Sequence, residues 1–268
     1  VLEDIPDRME LTYIRIKWTG SQQGTIKSYE MPEIASAGWE KKSVTATTDN
    51  NRNETTTYYV KGNQALIQLG DFIAGKIRDE YSVDVQVVCK VTDTDVLLGG
   101  QTKKFVNRVT LQTEAGKTIE TATAPAELKI QNLKKGYAPS TTQSGRVNFT
   151  IEANQLGQAI PAEDGATLKL IDKLSPELIL DTTTIEVVNS KNDQDVRFTA
   201  SLKADNTLEI TIPHDTPVRI TYTAIVNAPP ATNVNFSNVV NWENYTPSEG
   251  SKVEVSDYSY TAGGTVTA

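Results

Sequence analysis

The feature that most constrains the fold is alternation. Segment after segment places apolar or β-branched residues at every second position: "LTYIRIKW" (11–18), "TTTYYV" (55–60), "YSVDVQVVCKV" (81–91), "RVNFTIEA" (146–153), "ATLKLID" (166–172), "TTIEVV" (183–188), "DVRFTASL" (195–202), "TLEITI" (207–212) and "VRITYTAIV" (218–226). In a strand, successive side chains face opposite sides, so each run presents one buried row and one exposed row. Between the runs lie turn formers such as "TDNNRNE", "EDGA", "NSKNDQD", "KADN", "PHDTP" and "NAPPATN". Short strands with frequent turns specify an all-β chain built as sandwiches. Helical periodicity is weak. The stretch "NQALIQLGDFIAGKIRDEY" (63–81) has room for a short helix or turn, and its two glycines disfavour a long helix.

Two further rows share an unusual composition. "FVNRV" (105–109) and "FSNVV" (236–240) each set an Asn between an aromatic residue and a Val at two-residue spacing. Asn107 and Asn238 therefore sit in apolar rows. Aligning them exposes an internal repeat. "KKFVNRVTLQTEAGKTIE" (103–120) parallels "VNFSNVVNWENYTPSEGSKVEV" (234–255), and "LEDIPDRMELTYIRI" (2–16) parallels "LIDKLSPELILDTTTIEV" (170–187). The boundary falls near the Ala/Pro/Thr stretch at 121–126, which reads as a linker. The expected units are 1–122, lacking its N-terminal strands and enlarged around 20–80, and 123–268, which ends at the start of a further linker or strand. A chain that starts inside one repeat and stops at another reads as a piece of a longer protein.

Composition excludes several functions. A formal net charge of −8 argues against nucleic acid and anionic membranes as partners. No apolar run approaches the ~18 residues of a membrane span. The single Cys, Cys89, is in phase with Val83, Val85, Val87 and Val91 and reads as a small buried hydrophobe. The single His, His214, lies in the turn "IPHDTP". One Cys and one His leave no disulfide framework, and they argue against a Cys–His nucleophile pair or a metal site. No cofactor or metal is expected.

"DGATLKLIDKLSPELILDTTTIEV", followed by "LEITIPHDTPVRITYTAIVNAPPATNVNFSNVVNW", resembles repeat domains of Gram-positive cell-wall surface proteins and pilins of the collagen-adhesin A type. The matching features are the Asp with its "LSPEL" turn, the "VRITYTAIV" strand, the Pro-rich turn and the Asn before a short apolar strand. The match covers roughly 145–256 and is weaker over 1–120. The resemblance implies two tandem immunoglobulin-like β-sandwiches in an extracellular, cell-wall-attached adhesin or pilus-like stalk. It implies no enzyme activity on an outside substrate. The implied partners are neighbouring domains of the same chain and an extracellular host protein or glycan.

The resemblance also implies chemistry within the chain. Many domains of this type carry an intramolecular isopeptide bond, in which a first-strand Lys attacks the amide of a late-strand Asn beside a buried acid. Burial makes an amine more nucleophilic by favouring its neutral form, and proximity replaces a second enzyme. In the second unit the amide is Asn238. The acid is Asp172, in phase with Leu168 and Leu170. In "AELKIQNLKKG" (126–136) the phase of Leu128 and Ile130 continues to Asn132 and Lys134, which makes Lys134 the expected donor; Asn132 stands where related domains often have the Lys. The alternative is a hydrogen-bonded polar core without a covalent bond. In the first unit the counterparts are Asp4 and Asn107.

Two other readings have candidates. Trp18, Trp39, Trp242, Tyr58/Tyr59 and Tyr258/Tyr260 could stack on sugars in a carbohydrate- or protein-binding module. Trp242 shares its row with Asn238 and is expected in the core; Trp39 is the best candidate for exposure. The acids of "EDG" (163–165), "NDQD" (192–195) and "TDTD" (92–95) would suit a glycosidase, and those of "TDTD" and "NDQD" a Ca²⁺ site, but all read first as turn formers.

Overall fold

The computed structural model describes residues 1–19, 34, 37–47, 53–68, 82–113 and 115–261, with 16–19, 46–47, 53–54 and 82–83 as backbone only. The possible helix at 63–81 meets this limit. Residues 64–66 form a strand, and 69–81 lie outside the described residues. The alternating runs form strands, except that 195–202 contributes only the strand Thr199–Leu202, all of it exposed. Among the described residues no helix is long and apolar enough to cross a membrane.

The chain separates into two compact units, 1–93 with 103–128, and 94–102 with 129–268. The first holds β1 (Leu2–Asp4), β2 (Met9–Thr19), β3 (Glu40–Thr47), β4 (Asn53–Lys61), β5 (Gln64–Leu66), β6 (Ser82–Val91), β7 (Lys103–Gln112) and β8 (Thr118–Leu128). These form a sheet in the order β3-β4-β5-β1-β7-β8 and a β2-β6 ribbon. Ile14, Tyr58, Ala65 and Ile67 are buried together, packed against Leu11, Val44, Val60, Val85 and Val87.

The stretch expected as a linker at 121–126 is instead the middle of β8, paired along its length with β7. Ten of its eleven residues are exposed, so no apolar row announces it as a strand. Pairing with β7 supplies the backbone hydrogen bonds that a linker would have left to water. As the outer strand of its sheet it tolerates Pro125, which a central strand would not. The compact units therefore divide after Leu128 rather than at 122.

The second unit is built from β9 (Leu133–Pro139), β10 (Arg146–Ala153), β11 (Thr167–Leu174), β12 (Leu178–Asn189), β13 (Thr199–Leu202), β14 (Thr207–Pro213), β15 (Val218–Val226), β16 (Val234–Trp242) and β17 (Lys252–Tyr258). One sheet runs β12-β15-β10-β9 and the other β13-β14-β11-β16-β17, with every neighbouring pair antiparallel. Alternation supplies the inner faces. Val147, Phe149, Ile151 and Ala153 of β10 are buried, as are Val218, Ile220, Tyr222 and Ala224 of β15. From the other sheet come Leu168, Leu170 and Leu174 of β11, Leu208, Ile210 and Ile212 of β14, and Phe236, Val240 and Trp242 of β16.

The "LSPEL" turn after β11 is fastened to its surroundings. Ser175 donates its backbone N–H to the Ser237 carbonyl at 2.9 Å, and Ser237 donates its own to Ser175 Oγ at 3.1 Å. Asn206, at φ 65°, lies with its amide nitrogen 2.9–3.3 Å from the carbonyls of Leu174, Ser175 and Leu178. Asn tolerates this left-handed conformation better than most residues. The turn thus locks the end of β11 to β16, the two strands that carry Asp172 and Asn238.

Leu170 is fully buried in β11, whereas Ile179 on β12 is about half exposed. Leu170→Ala should cost about 2–5 kcal/mol of second-unit stability by leaving a cavity, and Ile179→Ala should stay within about 0.5 kcal/mol. Urea titration of the full chain followed by Trp fluorescence checks both.

Candidate functional site

The inner rows of the second unit carry three polar residues amid the apolar ones: Lys135 from β9, Asp172 from β11 and Asn238 from β16. The Lys135 and Asp172 side chains are both wholly buried and form an ion pair. Lys135 donates to Asp172 Oδ1 and, at 2.9 Å, to the hydroxyl of Tyr222 on β15. That hydroxyl donates to Asp172 Oδ2 at 2.5 Å. It also accepts a hydrogen bond from Asn238 Nδ2 at 2.7 Å. One hydroxyl oxygen therefore separates the amine of Lys135 from the amide of Asn238, and the two side chains come from opposite sheets. Asn238 Oδ1 is buried without a hydrogen-bond partner among the described residues. Phe149 and Tyr222 wall the ammonium in, each with its ring centroid 5.5 Å from Nζ.

Burial governs the electrostatics. Desolvation pulls the Lys135 amine down from 10.5 to about 8, and the Asp172 carboxylate holds back part of that fall. Tyr222 is pushed well above 10, chiefly by desolvation and then by the charge of Asp172. The amine thus reaches its neutral, nucleophilic form near physiological pH while the phenol keeps its proton.

Asp172 and Asn238 occupy the core, in the rows that alternation assigns to them. The donor differs. Lys134 is exposed, and Lys135 is the buried lysine. The phase of Leu128 and Ile130 does not carry through, because β8 ends at Leu128 and β9 begins at Leu133. Between them the chain turns at Asn132, whose carbonyl accepts from Asn154 N–H at 2.9 Å and whose Oδ1 accepts from Leu156 N–H at 3.4 Å. The break shifts the alternation by one, and Leu133 and Lys135 face inward. Tyr222 is the residue that sequence reasoning left out. Its signal was present in "VRITYTAIV", where it shares the buried row with Val218, Ile220 and Ala224. A buried tyrosine hydroxyl requires polar company.

In the first unit the acid beside Asn107 is Glu3, not Asp4. Glu3 pairs with Val109 across β1 and β7, which puts it on the Asn107 face, while Asp4 pairs with Arg108 and faces the other way. Asn107 donates to Glu3 at 3.1 Å, and Asp4 accepts from Gln64 at 2.7 Å. Glu3 is nearly fully buried, and desolvation raises its carboxyl above the ordinary value. Among the described residues no lysine joins this pair.

Three of the other candidate acids serve ion pairs or turns. Asp93 is buried and ion-paired with Arg8 and Lys103. Asp164 closes its turn by accepting from the N–H groups of Ala166 and Thr167. Asp193 pairs with Arg219. Among the described residues no group of three or more His, Cys, Asp or Glu could hold a metal ion. Cys89 is half-buried, and burial raises its thiol above the ordinary value, the reverse of an activated nucleophile. The His214 ring is engaged with the Ile160 carbonyl at 2.8 Å. Tyr58, Tyr59 and Trp242 are core residues, Trp39, Tyr258 and Tyr260 are half-buried, and the Trp18 side chain lies outside the described residues.

No protein-family model matches the chain, and no curated protein matches it. Among solved structures it is similar to the collagen adhesin of S. aureus, at 11% identity and TM-score 0.36, over 94% of this chain and 81% of that one. It is also similar to the collagen-binding domain of Erysipelothrix rhusiopathiae surface protein RspB, at 14% identity and TM-score 0.35, over 97% and 77%. A third is the C-terminal domain of the Streptococcus agalactiae AgI/II polypeptide BspA, at 13% identity and TM-score 0.34, over 94% and 81%.

A lysine held below its ordinary value binds fewer protons in the folded than in the unfolded chain between pH about 8 and 10.5. Stability must therefore rise with pH across that window. In Asn238→Ala, which keeps Lys135 as a free amine, the urea midpoint should climb from pH 8 to 10. In Asn238→Ala with Lys135→Met that climb should vanish.

Proposed function

We propose that the chain is part of an extracellular adhesin or stalk, and that its second sandwich is locked by an isopeptide bond between Lys135 and Asn238. The observation that carries this reading is a single water-excluded cluster. A lysine with a depressed pKa, a carboxyl group and a side-chain amide meet at one hydroxyl inside the core. A burial this expensive in an otherwise apolar core calls for a use beyond stability. Replacing a buried ion pair by well-packed apolar residues is often neutral or stabilising.

The bond explains the placement. Lys135 is on the first strand of the unit and Asn238 on the last but one, in opposite sheets. A covalent link between them carries tension directly from β9 to β16. The roughly hundred residues between stay folded under load, and closing a loop of that size also removes about 4.7 kcal/mol of unfolded-chain entropy. Both consequences suit a domain in an extended surface protein. In this reading the chemistry acts on the chain itself, and neither a cofactor nor an outside substrate takes part. Attachment to the cell wall of a Gram-positive organism, and a host protein or glycan as the distal partner, belong to the same proposal and rest on the motif resemblance.

Intact mass of the denatured chain tests it. Lys attack on the Asn amide expels ammonia, so one bond lowers the mass by ~17 Da. We expect a deficit of one ammonia in the native sequence and in Lys134→Ala, and none in Lys135→Ala or Asn238→Ala. Full mass in the native sequence would refute the bond, and a deficit that survives Lys135→Ala would refute the assigned donor.

A further inference from the structure

The acid of the cluster does not contact the atom that must leave. Asp172 Oδ1 accepts from Lys135, and Oδ2 accepts from Tyr222. The amide nitrogen of Asn238 donates to the Tyr222 oxygen instead. That oxygen uses its full capacity, one donated and two accepted hydrogen bonds, and it touches every group of the reaction. The Tyr222 ring is held in place by Phe149, with centroids 5.5 Å apart.

We propose that Tyr222 is a catalytic residue of cross-link formation, handing its hydroxyl proton to the departing nitrogen of Asn238 and taking a replacement from Asp172. This rests on the reading of the cluster as an isopeptide-forming centre. The steps balance as follows. The Lys135 ammonium gives one proton to Asp172. The freed lone pair forms a bond to Asn238 Cγ, and the carbonyl π pair moves onto Oδ1. Tyr222 protonates Nδ2 and is reprotonated from Asp172. The attacking nitrogen returns a proton to Asp172. The Oδ1 pair reforms the carbonyl, the Cγ–Nδ2 bond breaks with its electrons on nitrogen, and neutral ammonia leaves. Five protons shared by an ammonium and a primary amide end as one on the new amide, three on ammonia and one on Asp172. Tyr222 ends unchanged. A phenol pushed well above its ordinary value by burial does not lose its proton to solvent in the meantime.

The test follows bond formation in real time. The full chain is synthesised in a cell-free reaction and sampled by intact mass after synthesis is stopped. Removing a general acid typically costs ~10²-fold or more in rate. Tyr222→Phe should therefore still be largely at full mass when the native sequence has lost its ammonia, and should convert slowly afterwards. Circular dichroism establishes that the variant is folded. If folded Tyr222→Phe keeps pace with the native sequence, the role of Tyr222 is refuted while the isopeptide reading stands. If the native sequence never loses ammonia, the isopeptide reading fails and the role of Tyr222 with it. Should Tyr222→Phe not fold, replacement of Tyr222 by 3,5-difluorotyrosine keeps the ring and makes the phenol more acidic. A several-fold change in rate with an altered pH profile supports proton transfer, and an unchanged profile overturns it.

Discussion

The second unit is organised around one costly interaction, a lysine ammonium and a carboxylate held together with no access to water. Neither charge would survive there alone, because an unpaired buried ion costs several kcal/mol even after relaxation. The pair therefore dictates what surrounds it. Lys135 reaches in from the sheet that ends at β9, and Asp172 comes from β11 of the opposite sheet. Their contact fixes how the two faces meet. Tyr222 and Asn238 complete the arrangement by occupying the remaining hydrogen-bond capacity of the carboxylate and hydroxyl. The result is polar, enclosed and almost fully satisfied. Its exception is the carbonyl oxygen of Asn238, which adjoins the carbon that an amine would attack.

The same geometry links packing to mechanics. Antiparallel strands in a sandwich yield under tension when the terminal strands peel away. The proposed bond from the first strand to the last but one would close that route between β9 and β16 without adding anything to the surface. The first unit shows a related acid–amide pair, Glu3 with Asn107. Among the described residues that pair is a hydrogen bond between a buried carboxyl and an amide, with no lysine joined to it.

Much of this was legible in the sequence, and the gaps have specific causes. Strands follow from period-two alternation, and the inward rows of β11 and β16 identify Asp172 and Asn238 directly. Alternation fails where a strand ends unseen. The turn at Asn132 moves the inward phase from Lys134 to Lys135, and nothing in "LKIQNLKKG" marks the shift except the apolar Leu133. Asp4 precedes a proline-containing turn as Asp172 does, yet register puts Glu3 on the face of Asn107. The exposed residues of β8 carry no apolar row, so a paired strand reads as a linker. Tyr222 was in plain view as an inward position, but a tyrosine among valines and isoleucines reads as packing until its hydroxyl is given partners.

The most direct measurement is peptide mapping of the trypsin-digested protein. The account predicts a branched species in which the segment carrying Lys135, uncut at that residue, is joined to the segment carrying Asn238 and is lighter by one ammonia than the two combined. Recovery of both segments as separate linear peptides, with Asn238 intact and cleavage after Lys135, would contradict it.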